Sequence, residues 1–180
     1  AATDALVATS YSADLERLKA ATQLLNDSSN RGEILPVVMR FAAETFSRIA
    51  IFMVRGDEIL GMAQLGVEHD GGPDDVEIRA LHFARDEVSR FREVIESKVP
   101  LKAPVRDAGD RRVCELLVGQ VGESAYVAPL MSSENVVALL YADNGSAGTP
   151  LGDTSALEVV LHHAGLALDR AALERALAEV

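Results

Sequence analysis

Two neighbouring runs, residues 126–131 and 136–142, are apolar at consecutive positions instead of at every second one, and residues 49–54 share this character. Successive side chains of a strand point to opposite faces, so runs of this kind present apolar groups in both directions. A sheet with one wetted face would alternate apolar and polar residues. The central strands of this chain, placed at 48–55 and 135–143, therefore need cover above and below. The polar Ser132-Ser133-Glu134 knot folds the later pair of runs into a hairpin, and Gly56-Asp57 does the same for residues 48–66.

Helical segments are available for both faces. Residues 12–28 place Leu15, Leu18, Thr22 and Leu25 at helical spacing, with Ser12 before Glu16 as a start signal. Residues 33–46 carry Ile34, Leu35, Val38, Phe41, Ala42 and Phe46 along one broad face, with Pro36 in the first turn where its missing N–H does no harm. A long helix closes the chain, starting either after Thr149-Pro150 or at a Ser155–Glu158 capping box. These terminal helices are expected to cover one face. The middle segment, about 86–120, is expected to cover the other, with helices near 86–97 and 106–120 and a Pro-punctuated edge strand at 99–105. Residues 76–83 read as a further short strand, after an acidic loop at 67–75. The expected fold is α+β, a three-layer α/β/α sandwich around a mainly antiparallel sheet of five to six strands. Residues 1–12 form a flexible tail or linker, and 13–180 a single domain.

Composition narrows the function. A formal charge of −11 in 180 residues argues against direct nucleic-acid binding and against an anionic membrane surface. No apolar run approaches the roughly 20 residues of a membrane span, and no signal peptide opens the chain. Ala1 in place of Met is the expected mark of a processed or excised piece of a longer protein. The single cysteine, Cys114, excludes an internal disulfide and fits a reducing, cytoplasmic setting.

The stretch "SAYVAPLMSSENVVALLYADN" resembles the signature of the GAF sensor domain, a PAS-related fold. Ala128-Pro129-Leu130 stands where the family has a strand ending in small residue, proline and leucine. Leu140-Tyr141-Ala142-Asp143 stands where its partner strand closes. "VSRFREVIESKVPLKAPVRD" is similar to the family's short helix, Pro-containing strand and following aspartate, Asp107. The closing stretch 151–177 is similar to the last helix, which in the family commonly runs on as a signalling helix; here that would be 169–180. The resemblance implies a sensory or regulatory module and names no ligand. The asparagine-lysine-x-phenylalanine set of cyclic-nucleotide binders is absent, Cys114 is not followed by the histidine of a bilin site, and the sulfoxide reductases of the family need several cysteines. Val137-Ala138 replaces a frequent glycine, a change the fold tolerates.

The residues carry no enzymatic motif: neither GxGxxG, GxxxxGK, GxSxG nor HExxH occurs. The chain is expected to be non-catalytic. Cys114 lies beside Arg111 and Arg112, which would lower its pKa if close in space; plain packing is the stronger reading. His162 and His163 point about 100° apart on a helix and do not converge on one metal ion, so no metal site is expected. Cations between Arg85 and Arg112 would suit the rim of a pocket for an anionic small molecule, but they are interleaved with carboxylates, and a solvated surface is the stronger reading. A ligand cavity, if built, belongs between the sheet and the crossover segment, with Phe52, Phe91, Val105, Cys114, Tyr126 and Tyr141 as its expected lining; plain core packing is the stronger reading for the tyrosines. No cofactor is assigned.

The last helix has one stripe, Leu157, Leu161, Ala164 and Leu168, for the sheet. A second recurs every seven residues as Val159, Leu166, Leu173 and Val180, with Leu177 beside it. Its simplest use is a homodimer through the terminal helices, with Leu18 and Leu25 extending the bundle; cover by the first helix is the simpler alternative. The resemblance thus implies a regulatory module of a larger signalling protein, of the kind that governs transcription or another output. A ligand-free dimerisation module and a small redox enzyme using Cys114 are the other readings.

Overall fold

The computed structural model describes the backbone of residues 2–118, 124–145 and 149–179. Its six strands are β1 (Arg48–Arg55), β2 (Glu58–Leu65), β3 (His82–Ala84), β4 (Leu101–Pro104), β5 (Ser124–Ser132) and β6 (Asn135–Asp143). They form one antiparallel sheet in the order β3-β2-β1-β6-β5-β4. The central pair is β1 and β6, in register from Arg48 opposite Asp143 to Met53 opposite Ala138. The fold class is the one the apolar runs require.

Among the described residues, six α-helices surround the sheet: α1 (Ala2–Asn26), α2 (Ile34–Ala42), α3 (Asp75–Ile78), α4 (Ser89–Ser97), α5 (Ala108–Val118) and α6 (Ser155–Ala178). On one face Ile49 and Ile51 of β1, Tyr126, Ala128 and Leu130 of β5 and Ala138, Leu140 and Ala142 of β6 meet α1, α2 and α6. On the other, Ala50, Phe52, Val127, Leu139 and Tyr141 meet the crossover layer through Val88, Phe91, Val94, Val113, Cys114 and Leu117. Adjacent residues of β1 and β6 thus belong to separate cores.

Three local readings change. α1 is helical from Ala2, where a tail was expected to reach residue 12; the segment has alanines at 2, 5, 8 and 13 and no glycine or proline before Gly32, so nothing breaks the helix. Residues 76–83 are not a strand throughout. Asp74 accepts from the amides of Val76 and Glu77 while Glu77 reaches back to the Asp74 amide, a capping box that starts α3 and leaves only His82–Ala84 extended. α6 starts at Ser155, where the Asp153 carboxylate accepts from the Ser155 amide and hydroxyl, so neither expected cap is the operative one. Among the described residues no helix is long and apolar enough to cross a membrane.

Candidate functional site

Of the six candidate lining residues, Phe52, Phe91, Cys114 and Tyr141 are gathered in the core beneath the crossover layer, and Val105 packs against its edge. Tyr126 lies on the opposite face, where its ring stacks on Phe46 at 5.5 Å. Strand periodicity explains the split: Tyr126 and Val127 face opposite ways, and Val127 is the residue paired across β5–β6 with Tyr141.

The crossover core is closely filled. Phe52 lies 5.2 Å from Phe91 and 5.9 Å from Phe83, and Phe83 is 6.2 Å from Phe91, distances at which ring edges meet ring faces. The clefts described on the surface are lined by none of the six candidates.

A polar chain runs through this core. Cys114 Sγ sits 3.2 Å from the Tyr141 hydroxyl, which donates to Asp143 Oδ2 at 2.7 Å. Asp143 Oδ1 accepts from Arg48 Nε at 2.6 Å and from the Gly145 amide at 2.9 Å. Arg48 reaches the surface through Asp70, 3.5 Å from its Nη1. Burial pushes the Cys114 thiol up, more than the hydrogen bond with Tyr141 and the Arg90 charge bring it down. Burial, reinforced by the Asp143 charge, holds the Tyr141 phenol well above its ordinary value. The thiol is therefore protonated at neutral pH, and Arg111 and Arg112, which would have lowered its pKa if close, are not among the charges that act on it, in keeping with the packing reading.

A second buried pair organises the crossover layer. Asp110, at the start of α5, accepts from Ser89 Oγ and the Arg90 amide, and so caps α4, whose own N-cap Val88 has no side-chain acceptor. It also accepts from Arg90 Nη2 at 3.0 Å, while the same guanidinium donates to Pro104 O and Ala125 O. One arginine thus ties α4 to α5, β4 and β5. Sequence reasoning missed Arg48, Arg90, Asp110 and Asp143 as interior groups. Asp143 stood at the end of a quoted motif; Arg90 carried only the signal of sitting in the apolar spacing Val88–Phe91–Val94.

The opposite face carries the helical surface. Leu157, Leu161 and Ala164 of α6 are buried on the sheet, as their stripe required, and Leu168 packs beside them. Val159, Leu166, Leu173 and Leu177 are 41%, 51%, 61% and 68% exposed, so α1 does not cover them; Val180 lies outside the described residues. Leu25 is buried and Leu18 packs on the same core, which removes them as extensions of that exposed stripe; among the described side chains of α1, Leu15 and Leu24 are exposed.

Solved structures match this arrangement over nearly their whole length. A phycocyanobilin-bound GAF domain from a cyanobacterial phytochrome superposes with a TM-score of 0.65 at 18% identity, covering 91% of this chain and 96% of that one. The fold is the GAF fold. The GAF domain of a phosphoenolpyruvate-protein phosphotransferase from Coxiella burnetii gives 0.64 at 16% identity, covering 93% and 97%. The GAF domain/HD domain protein of Geobacter sulfurreducens gives 0.62 at 14%, covering 83% and 98%. No family model matches the sequence, and no curated protein matches it either.

Proposed function

We propose that this GAF-fold chain is a non-catalytic regulatory module, placed in the cytoplasm, that dimerises through its terminal helices and passes a signal to an output domain of a larger protein. The observation that carries this reading is the two-sided use of α6: one face packs on the sheet while Val159, Leu166, Leu173 and Leu177 remain exposed on the other. Exposed leucines at seven-residue spacing suit a second helix of the same kind. The matched structures include GAF domains from a phytochrome and from a phosphotransferase, and a methyl-accepting chemotaxis protein, which supports a sensory role.

The input acts from the crossover side. A small molecule or partner that parts α4 and α5 from the sheet would meet Phe52, Phe91, Val105, Cys114 and Tyr141, and would shift the packing of the terminal helices only if it binds the two packings with different affinity. The closely filled phenylalanine trio favours a second reading, a dimerisation module whose interior is sealed by its own side chains. Thermal-shift screening against nucleotides, amino acids and tetrapyrroles separates them. A ligand at about 100 times its Kd stabilises by about 2.7 kcal/mol, and no shift across the set supports the sealed module. Light scattering over a dilution series tests the dimer, which a persistent monomer at high concentration removes. Cys114→Ser keeps fold and assembly in either case, whereas a thiol-dependent activity lost in that variant would establish the redox enzyme instead.

A further inference from the structure

We propose that Asp169 and Arg170, consecutive residues of α6, form a joint that holds the β5–β6 turn on one side and the end of α1 on the other, so that a displacement of the hairpin moves both terminal helices together. The proposal deepens the regulatory reading and rests on it.

The turn needs to be held. Ser133 and Glu134 lie at φ 46° and 67°, a left-handed pair of the kind two-residue hairpins normally fill with Asn-Gly. Neither residue is glycine, so the backbone conformation is disfavoured by its own side chains. Asp169 compensates from another element: its Oδ1 accepts from Ser132 Oγ at 2.6 Å, from the Ser133 amide at 2.7 Å and from Ser133 Oγ at 3.2 Å. These bonds, the Ser132 hydroxyl foremost, hold its carboxyl below the ordinary aspartate value. One turn earlier, Gly165 lets α6 touch the strand itself, because a Cβ there would stand 2.4 Å from Met131 O.

The neighbouring side chain points elsewhere. Consecutive helical residues diverge by about 100°, and Arg170 uses that angle to reach α1, donating to Asn26 O at 2.8 Å and Leu25 O at 2.9 Å. These are end-of-helix carbonyls with no helical donor, where a guanidinium also meets the negative end of the helix dipole. The hairpin clamped by Asp169 is the one whose Val127, Leu139 and Tyr141 face the crossover core. The exposed Leu173 and Leu177 lie just beyond the joint on α6. A cleft of about 350 Å³ lined by Lys98, Glu134, His162, Leu166 and Asp169 among others leaves the joint open to solvent.

Two independent caps would show the same contacts, so the test must read coupling. Amide hydrogen exchange is measured on the full chain for Asp169→Ala, Arg170→Ala and the double variant. The joint requires Asp169→Ala to speed exchange by at least about five-fold at the amides of residues 23–27 as well as at 133–135, and Arg170→Ala to do the same at both places. It further requires the double variant to add little to either single one, since effects through one shared element are not additive. Hairpin exchange responding to Asp169 alone, with α1 responding to Arg170 alone, overturns it. If the core amides of β1 and β6 speed up equally, the milder Asp169→Asn is read in the same way, and a uniform response there also overturns the joint. Failure of the joint leaves ligand-induced melting shifts and the dilution series untouched, so it is separable from failure of the regulatory reading.

Discussion

The two interior tyrosines offer a direct test of what holds the crossover core. Tyr126 and Tyr141 are each 1% exposed, yet their hydroxyls are used differently. That of Tyr141 donates to Asp143 at 2.7 Å and touches Cys114, whereas that of Tyr126 makes no well-aligned hydrogen bond, its polar neighbours being Thr154 and Glu158. Removing a bond to a buried carboxylate costs about 1.5–3 kcal/mol, because Asp143 Oδ2 is left without it in the interior. The thiol contact adds about 0.5 kcal/mol at most. Tyr141→Phe should therefore lose about 1.5–3.5 kcal/mol, which for a chain of this size is about 3–14 °C in Tm. Tyr126→Phe removes a desolvated group with only a poorly aligned approach to Thr154 and Glu158, and should change stability by no more than about 1 kcal/mol in either direction. Urea denaturation at pH 7, followed by far-ultraviolet circular dichroism with m-values held equal, measures both. A Tyr126→Phe cost equal to or above that of Tyr141→Phe would refute the reasoning, since both variants lose the same buried hydroxyl and the bond to Asp143 is the difference the argument turns on.

Gly165→Ala should destabilise by about 1–3 kcal/mol in the same urea assay, because the clashing Met131 oxygen is backbone and cannot swing aside. Asp110→Ala should cost about 3–5 kcal/mol because the buried charge of Arg90 is left without its carboxylate, with enhanced amide exchange in α4 as its local mark. Asp27, Asp107, Asp153 and Asp169 are all held below the ordinary aspartate value of 3.8, chiefly by hydrogen bonds from Ser29, Asp110, Ser155 and Ser132 respectively. A depressed folded-state pKa contributes stability that is present above 3.8 and is lost as pH falls through the folded value, so the urea midpoint should change little from these groups between pH 7 and 5 and drop by pH 3. Cys114 should be unreactive toward a thiol reagent in the folded chain and titrate fully in denaturant, because it is 1% exposed and its pKa is raised.

The sheet was legible because its central strands cannot hide what they are: Ile49, Ala50, Ile51 and Phe52 leave no polar side to wet. The same logic sorted the stripe Leu157–Leu161–Ala164 from the exposed series beginning at Val159. It failed where a local cap outweighed an apolar alternation, as at Asp74 and Glu77, although that spacing was itself a readable helix start. Placing Tyr126 with Tyr141 was a parity error, since the hairpin register that separates them depends on an irregularity between Leu130 and Met131. The partners of Arg48 and Arg90 lie 95 and 20 residues away along the chain, and nothing in a single sequence reports such pairings. Asp169 escaped notice for the same reason: its worth comes from a turn 36 residues upstream.

The alternation of β6 between two cores gives neighbouring positions different exposure to change. Leu139 answers to the phenylalanines of one layer and Leu140 to the helices of the other. A substitution at Leu139 is therefore felt by the crossover layer and one at Leu140 by the terminal helices, although the two residues are neighbours along the chain. A single ribbon of nine residues is in this sense the partition between two interiors.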